Sequence, residues 1–349
     1  MILPACSAHA LPGLPYDDPG KACQVVLDNL PEMPNLPALA KYFKTPGAYV
    51  EGMPCLKFDE KREAWYFDLS DSKTVERELL QHYERYLAED IDHYAYRTKY
   101  TVGWDMMLDL LRQRQSPEVK AVSIVLRGPF SLGIYLTDQD MKPIFYNETM
   151  RDALVKYLAL KAKWCHKKVH EYLPGMPVAI WVTEAQMQFF GSAYIAVTEE
   201  QVINSINEVV EGIRSFDGIA MVHCCGDTDW SVLMNTSVDI VNFDAYGHFD
   251  KFALYTEELK AFLGRGGMVS WGIIPNTNDK IVVETAETLV EKLEAMLQVL
   301  TGKGISRELL LESMLISPSC GFSGASPRNA EIALQLLNEV AEVMSGKQF

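Results

Sequence analysis

Three side chains in this sequence have types and spacing suited to metal chemistry. They are His223 and Cys225 in Met221-Val-His-Cys-Cys-Gly-Asp227, and Cys320 in Ser317-Pro-Ser-Cys-Gly-Phe322. Imidazole and thiolate are donors that zinc prefers, and three protein ligands with one open position define a catalytic rather than a structural zinc site. Side-chain direction on a strand repeats every second residue, so His223 and Cys225 share a face while Cys224 points the other way, into packing. Both segments follow short apolar runs, which puts the three ligands where a strand ends and a loop begins.

Such loops need a scaffold. A chain of 349 residues with 48% hydrophobic content can bury a large core, and a single α/β barrel is the economical architecture at that length. A net charge of −15 argues against nucleic acid as a partner. No apolar stretch approaches the roughly 18–20 residues of a membrane span. The start, Met1-Ile-Leu-Pro-Ala-Cys, lacks a signal peptide's basic region, and seven unevenly spread cysteines read as reduced thiols, so the cytoplasm is the expected location.

Strand-like and helix-like segments then alternate. Strands are expected at Val122–Pro129, Pro177–Glu184, Ile219–His223, Val238–Asp244, Met268–Ile273 and Leu309–Ile316. Helices are expected over 150–172, 199–215, near Trp230, 256–263, 282–301 and 327–344, the last with Ser326 as N-cap and Pro327 behind it. His93–Tyr96 and Ile2–Pro4 read as first strands, and 48–69 as a hairpin turning at Asp59-Glu60-Lys61. Repeated βα units without a dinucleotide glycine fingerprint favour a single (β/α)8 TIM barrel over a Rossmann sheet. The chain therefore reads as one domain over 1–349. Residues 1–115 form an N-terminal part with the hairpin, and 116–349 hold the barrel strands with the metal site.

The whole chain resembles the superfamily of uroporphyrinogen decarboxylase and the catalytic half of cobalamin-independent methionine synthase. The resemblance is carried by His223-x-Cys225, by Asp239-Ile-Val-Asn-Phe-Asp244, and by Ser-Pro-Ser-Cys320-Gly where the family has Asn-Pro-Asp-Cys-Gly. It implies a zinc site of His223, Cys225, Asp244 (in place of the family's Glu) and Cys320, with support of a ligand from behind as the alternative role for Asp244. It also implies methyl transfer to a small thiol, homocysteine giving methionine as the leading case. The chemistry is coherent: a free thiol, pKa about 8.5, is mostly protonated at neutral pH, whereas zinc deprotonates it and leaves a polarizable nucleophile.

Departures from the family pattern refine this. A His that protonates the departing folate falls at Ile273 in Trp271-Gly-Ile-Ile-Pro, and the folate-binding half of the long enzymes is absent. Methylcobalamin or another methylcorrinoid needs no such acid, so a methylcorrinoid is the expected donor. With no Asp-x-His-x-x-Gly signature in the chain, the corrinoid would come free or on a separate carrier protein. The family's Gly-Ser is Pro12-Gly13 here, and the Asp of its Asp-Glu-Pro is Thr183, leaving Glu184 and Asp227 as candidate catalytic carboxylates for a substrate ammonium. Arg127, Tyr246 and Thr183 end strands at the same mouth and are candidate substrate contacts; an ion pair with Arg127 is the alternative for Glu184. Cys165, His166 and His170 sit on a lysine-rich helix and read as a solvated face. Alternatives to the leading function are a corrinoid-linked methyltransferase using a methoxylated compound, methylamine, coenzyme M or tetrahydrofolate, a zinc-free decarboxylase, and a non-catalytic carrier-docking barrel.

Overall fold

The computed structural model describes residues 3–39 and 47–347. Among these residues the strands are β1 (Gly13–Leu14), β2 (Ala38–Leu39), β3 (Leu56–Asp59), β4 (Ala64–Phe67), β5 (Val122–Arg127), β6 (Val178–Thr183), β7 (Ile219–Cys224), β8 (Ile240–Phe243), β9 (Met268–Ile274) and β10 (Met314–Pro318). The last six form one sheet in the order β10-β9-β8-β7-β6-β5, every neighbouring pair parallel. Parallel neighbours need crossovers, and helices supply them, among them Glu148–Tyr172, Glu199–Arg214 and Ala286–Gly302. Local sequence starts these helices: Thr198 and Gln201 close a capping box, and Ser326 caps Pro327–Ser345 with proline at its first position.

Strand register divides the inside of the sheet into two tiers. Val125, Trp181, Met221, Ile240 and Met268 are aligned across five strands and pack in one apolar cluster with Leu315. Full burial of a side chain such as Met221 or Ile240 contributes about 1.5–3 kcal/mol. Two residues further along each strand, and therefore on the same face, stand Arg127, Thr183, His223, Asn242 and Ser270. An apolar plug thus carries a polar tier at the C-terminal ends of the strands.

Both edges of the sheet bond to N-terminal segments. Beside β10, the Cys6 and His9 amides donate to Met314 O (2.7 Å) and Ile316 O (3.0 Å). Beside β5, the Leu36 amide donates to Ser123 O (2.9 Å), and Ser123 N donates to Pro34 O (3.0 Å). The two segments meet where β1 pairs in parallel with β2. The arrangement is α/β and TIM-barrel-like.

Several expected elements differ. Residues 307–312 are helical, because Ser306 caps the Leu309 amide and the Leu309-Leu-Leu run follows the helix period; the strand begins only at Met314. His93 and Tyr94 lie in a 3-10 turn, Ile91–Tyr94. Of the expected strand at 2–4, Ile2 lies outside the described residues, and Leu3 and Pro4 are not in a strand; residues 7–9 hydrogen-bond to β10 instead. β3 and β4 pair antiparallel, with Asp59 Oδ1 accepting from the Lys61 and Arg62 amides.

Candidate metal centre

His223 is the penultimate residue of β7, and Cys225 lies one residue past the strand. Cys320 follows β10, whose register with β9 slips at Ser317/Pro318, redirecting the chain over Gly272. A Cβ on Gly272 would sit 2.5 Å from Phe243 O and 2.9 Å from Ser319 Cα, so only glycine permits this crossing. The result is convergence: one ligand atom from each of His223, Cys225 and Cys320 lies within 4.8 Å of the others. Tetrahedral ligands at about 2.3 Å from one ion would stand about 3.8 Å apart, so a contraction of about an ångström or less would seat an ion.

The histidine is prepared for this role. Its Nδ1–H donates to Asn242 Oδ1, which leaves Nε2 as the lone-pair nitrogen, and Nε2 is buried with no hydrogen-bond partner. A buried polar atom without a partner is costly unless something fills its place, and a cation bound between His223 and the two cysteines would do so. The two sulfurs behave consistently with that. The Cys320 thiol donates to Cys225, which holds the Cys225 thiol far below the usual range and pushes Cys320 up.

Behind His223 lies a buried network. Asn242 Nδ2 is 2.7 Å from both Ser270 Oγ and Ser317 Oγ, the two hydroxyls are 2.9 Å apart, and His9 Nε2 is 2.8 Å from Ser270 Oγ. His9 lies against Trp181 at 4.9 Å, and burial holds its pKa at about 3, so it is neutral. A neutral His9 adds no charge to the chain of hydroxyls behind Asn242. Asn242, Ser270, Ser317 and His9 were not singled out from sequence. The available signal was one polar residue at the same inward step of successive apolar strands.

The three ligands open onto a cavity of about 480 Å³, whose walls include Arg127, Thr183, Tyr49 and Ser323. That volume falls in the range of about 300–1,000 Å³ usual for small-ligand sites. Arg127 stacks over Tyr49 at 5.4 Å, and Thr183 Oγ1 donates to Leu126 O. Two expected substrate carboxylates are elsewhere. Glu184 is fully buried, accepting from the Phe130 and Ser131 amides at 3.1 and 2.7 Å at the start of helix Pro129–Tyr135. A Cβ at Gly128 would lie 2.1 Å from the Glu184 carboxyl carbon, so glycine makes its berth. Burial pushes the Glu184 pKa up to about 7 against the pull of those amides and of Arg127. Asp227 is exposed and lines a different pocket with Glu199, Glu200 and Asp229.

Tyr246 hydrogen-bonds Glu284 and is not among the residues lining the ligand cavity. Asp244, expected beside the metal, stands outside the converging group: Oδ1 accepts from the Gly247 amide at 2.7 Å and caps helix Ala245–Phe252. Cys224 is fully buried, as expected of its opposite face. The solvated-face reading of helix Glu148–Tyr172 needs correction: Cys165 and His166 are buried, and the His166 ring lies tilted against His170 at 4.0 Å and against Phe216. Phe216, invisible in the local lysine pattern, packs on His166, and Cys165 belongs to the apolar core.

No family model and no curated protein matches the chain. Among solved structures, a B12-independent methionine synthase from Shewanella sp. W3-18-1 in complex with selenomethionine is similar at 16% identity and TM-score 0.47. The match covers 68% of this chain and 64% of that one, so this chain spans less than two thirds of its length. A glycoside hydrolase is similar at 12% identity and TM-score 0.45, covering 95% and 99%. At these TM-scores neither identifies a fold or an activity for this chain. No helix among the described residues is long and apolar enough to cross a membrane.

Proposed function

We propose that this chain is a zinc-dependent methyltransferase that moves a methyl group from a methylcorrinoid to a small thiol. The observation that carries the reading is the partnerless, buried His223 Nε2 converging with two cysteine sulfurs on a small-molecule cavity. We read the N-terminal segments as the two remaining staves of a (β/α)8 barrel and the chain as one domain over 1–349. In this reading His223, Cys225 and Cys320 hold zinc, and the fourth position is left to the substrate.

Zinc, when bound, would lower the pKa of a coordinated thiol and keep its sulfur nucleophilic. The protein's own residues do the rest. Asn242 fixes the ring and tautomer of His223, the apolar plug of Trp181 and Met221 closes the floor against water, and Arg127 and Thr183 border the substrate's space. In the transfer the thiol proton passes to solvent, the new S–CH₃ bond forms from a sulfur lone pair, and the carbon–donor bond breaks with both electrons leaving on the donor. Ile273, at the position where a folate-protonating His would fall, is fully buried among apolar residues, which supports a donor whose leaving group needs no proton.

The same geometry weighs against other chemistries. Glycoside hydrolysis uses a pair of carboxylates, and no carboxylate lines this cavity among the described residues. A tetrapyrrole decarboxylase would need several arginines, and among the described residues Arg127 is the one arginine lining this cavity. The experiment is to incubate zinc-loaded protein with methylcobalamin and a series of thiols and follow corrinoid absorbance. Methylated thiol with stoichiometric corrinoid demethylation is expected; no transfer to any thiol would refute the assignment.

A further inference from the structure

The charges of the cavity restrict the thiol. Arg127 shares a register row with Thr183 and His223, two strand spacings from the histidine, or about 10 Å between backbones. Its guanidinium stacks on and hydrogen-bonds Tyr49, and no carboxylate stands within ion-pair distance of it among the described residues. This is unusual on a chain with 47 acidic and 32 basic residues, where a cation finds counter-charge easily. Glu184, whose carboxyl feels the Arg127 charge, spends its oxygens on the Phe130 and Ser131 amides. Among the described residues the cavity therefore presents one cation, hydroxyls from Thr183, Tyr49 and Ser323, and nothing negative apart from the cysteine ligands at its floor.

We infer that the acceptor is a small thiol carrying an acidic group, carboxylate or sulfonate, and no ammonium. The inference rests on the thiol-methyltransferase reading. With sulfur at the His223–Cys225–Cys320 group, a chain of two or three carbons brings the acid toward Arg127, whose planar fork suits a two-oxygen contact. An α-ammonium, as in homocysteine, would enter a space whose fixed charge is positive. The expectation of homocysteine as acceptor relied on Glu184, and Glu184 faces the helix start instead.

The test compares thiols by calorimetric binding to zinc-loaded protein. Homocysteine and 4-mercaptobutyrate differ only by the ammonium; 2-mercaptoethanesulfonate, 2-mercaptoethanol and cysteamine complete the charge series. The acidic thiols should bind about ten- to a hundredfold more tightly than 2-mercaptoethanol, the size expected of one charge-assisted contact. 4-Mercaptobutyrate should outbind homocysteine by about tenfold. Arg127→Met should erase the advantage of the acidic thiols over 2-mercaptoethanol, and Arg127→Lys should retain part of it. Homocysteine binding as tightly as 4-mercaptobutyrate would overturn the inference in the wild-type protein alone, whatever the variants do. If thiols of every charge bind equally, the acceptor class is wrong and the zinc–thiol chemistry stands. If no thiol binds at all, that chemistry falls and the inference with it.

Discussion

His223 and Asn242 are register partners on adjacent strands, and the histidine's Nδ1–H donates to the asparagine's side-chain oxygen. That bond decides which ring nitrogen faces the cysteines. Replacing Asn242 with Leu removes the acceptor and leaves the Ser270 and Ser317 hydroxyls to each other. Zinc affinity, measured by competition with a chromophoric chelator, should fall about 10–100-fold, the usual effect of losing a partner behind a metal ligand. Because a buried donor also loses its acceptor, stability should drop by about 1–3 kcal/mol. Unchanged zinc affinity in a folded Asn242→Leu protein would show that the ring is held by other means.

Glu184 gives a pH signature. Its carboxyl titrates at about 7 when folded and near 4.5 when unfolded. Between those values the unfolded chain has released its proton while the folded chain retains it, so stability from this site is full below about 4.5 and is lost as pH rises to 7. The slope approaches about 1.4 kcal/mol per pH unit. Urea unfolding of metal-free wild type and Glu184→Gln at pH 5 and 7.5 should show the wild type losing more stability across that interval, by a few kcal/mol at most. Equal pH dependence would mean the carboxyl is not buried as described.

Asp244 should be dispensable for the metal. Asp244→Ala removes the cap of helix Ala245–Phe252, at a cost of about 0.5–2 kcal/mol, and should leave zinc content near that of wild type. Loss of zinc in a folded Asp244→Ala protein would return this carboxylate to the ligand set.

The donor can be tested independently of the acceptor. With whichever thiol is methylated, methylcobalamin should support turnover and methyltetrahydrofolate little, because Ile273 is an apolar core residue and offers no proton to a departing amine. Comparable rates with both donors would refute the role given to that position.

How much of this was legible in the sequence follows from what each signal depends on. The six central strands and most helices were readable because apolar runs and caps are local: Thr198, Ser326 and Pro327 start their helices as written. The His-x-Cys pair was readable because period-two direction is a backbone property. Leu309–Leu311 misled because a short apolar run fits a strand and a buried helix equally, and Ser306 arbitrated. Glu184 misled for a different reason. It ends the right strand, but only the third dimension shows that Gly128 leaves it a berth at a helix start. The row Thr183, His223, Asn242, Ser270 depends on register between strands, which no single strand records.

The zinc content of purified protein tests the proposal most directly. Protein prepared without chelator, with Cys320→Ser prepared alongside, should be measured by elemental analysis, with circular dichroism to confirm folding. Wild type should carry about one zinc per chain, and the folded Cys320→Ser variant well below one, since Cys320 stands on a loop above an independently packed interior. Folded wild-type protein that neither contains zinc nor takes it up on addition would contradict the metal centre and everything derived from it.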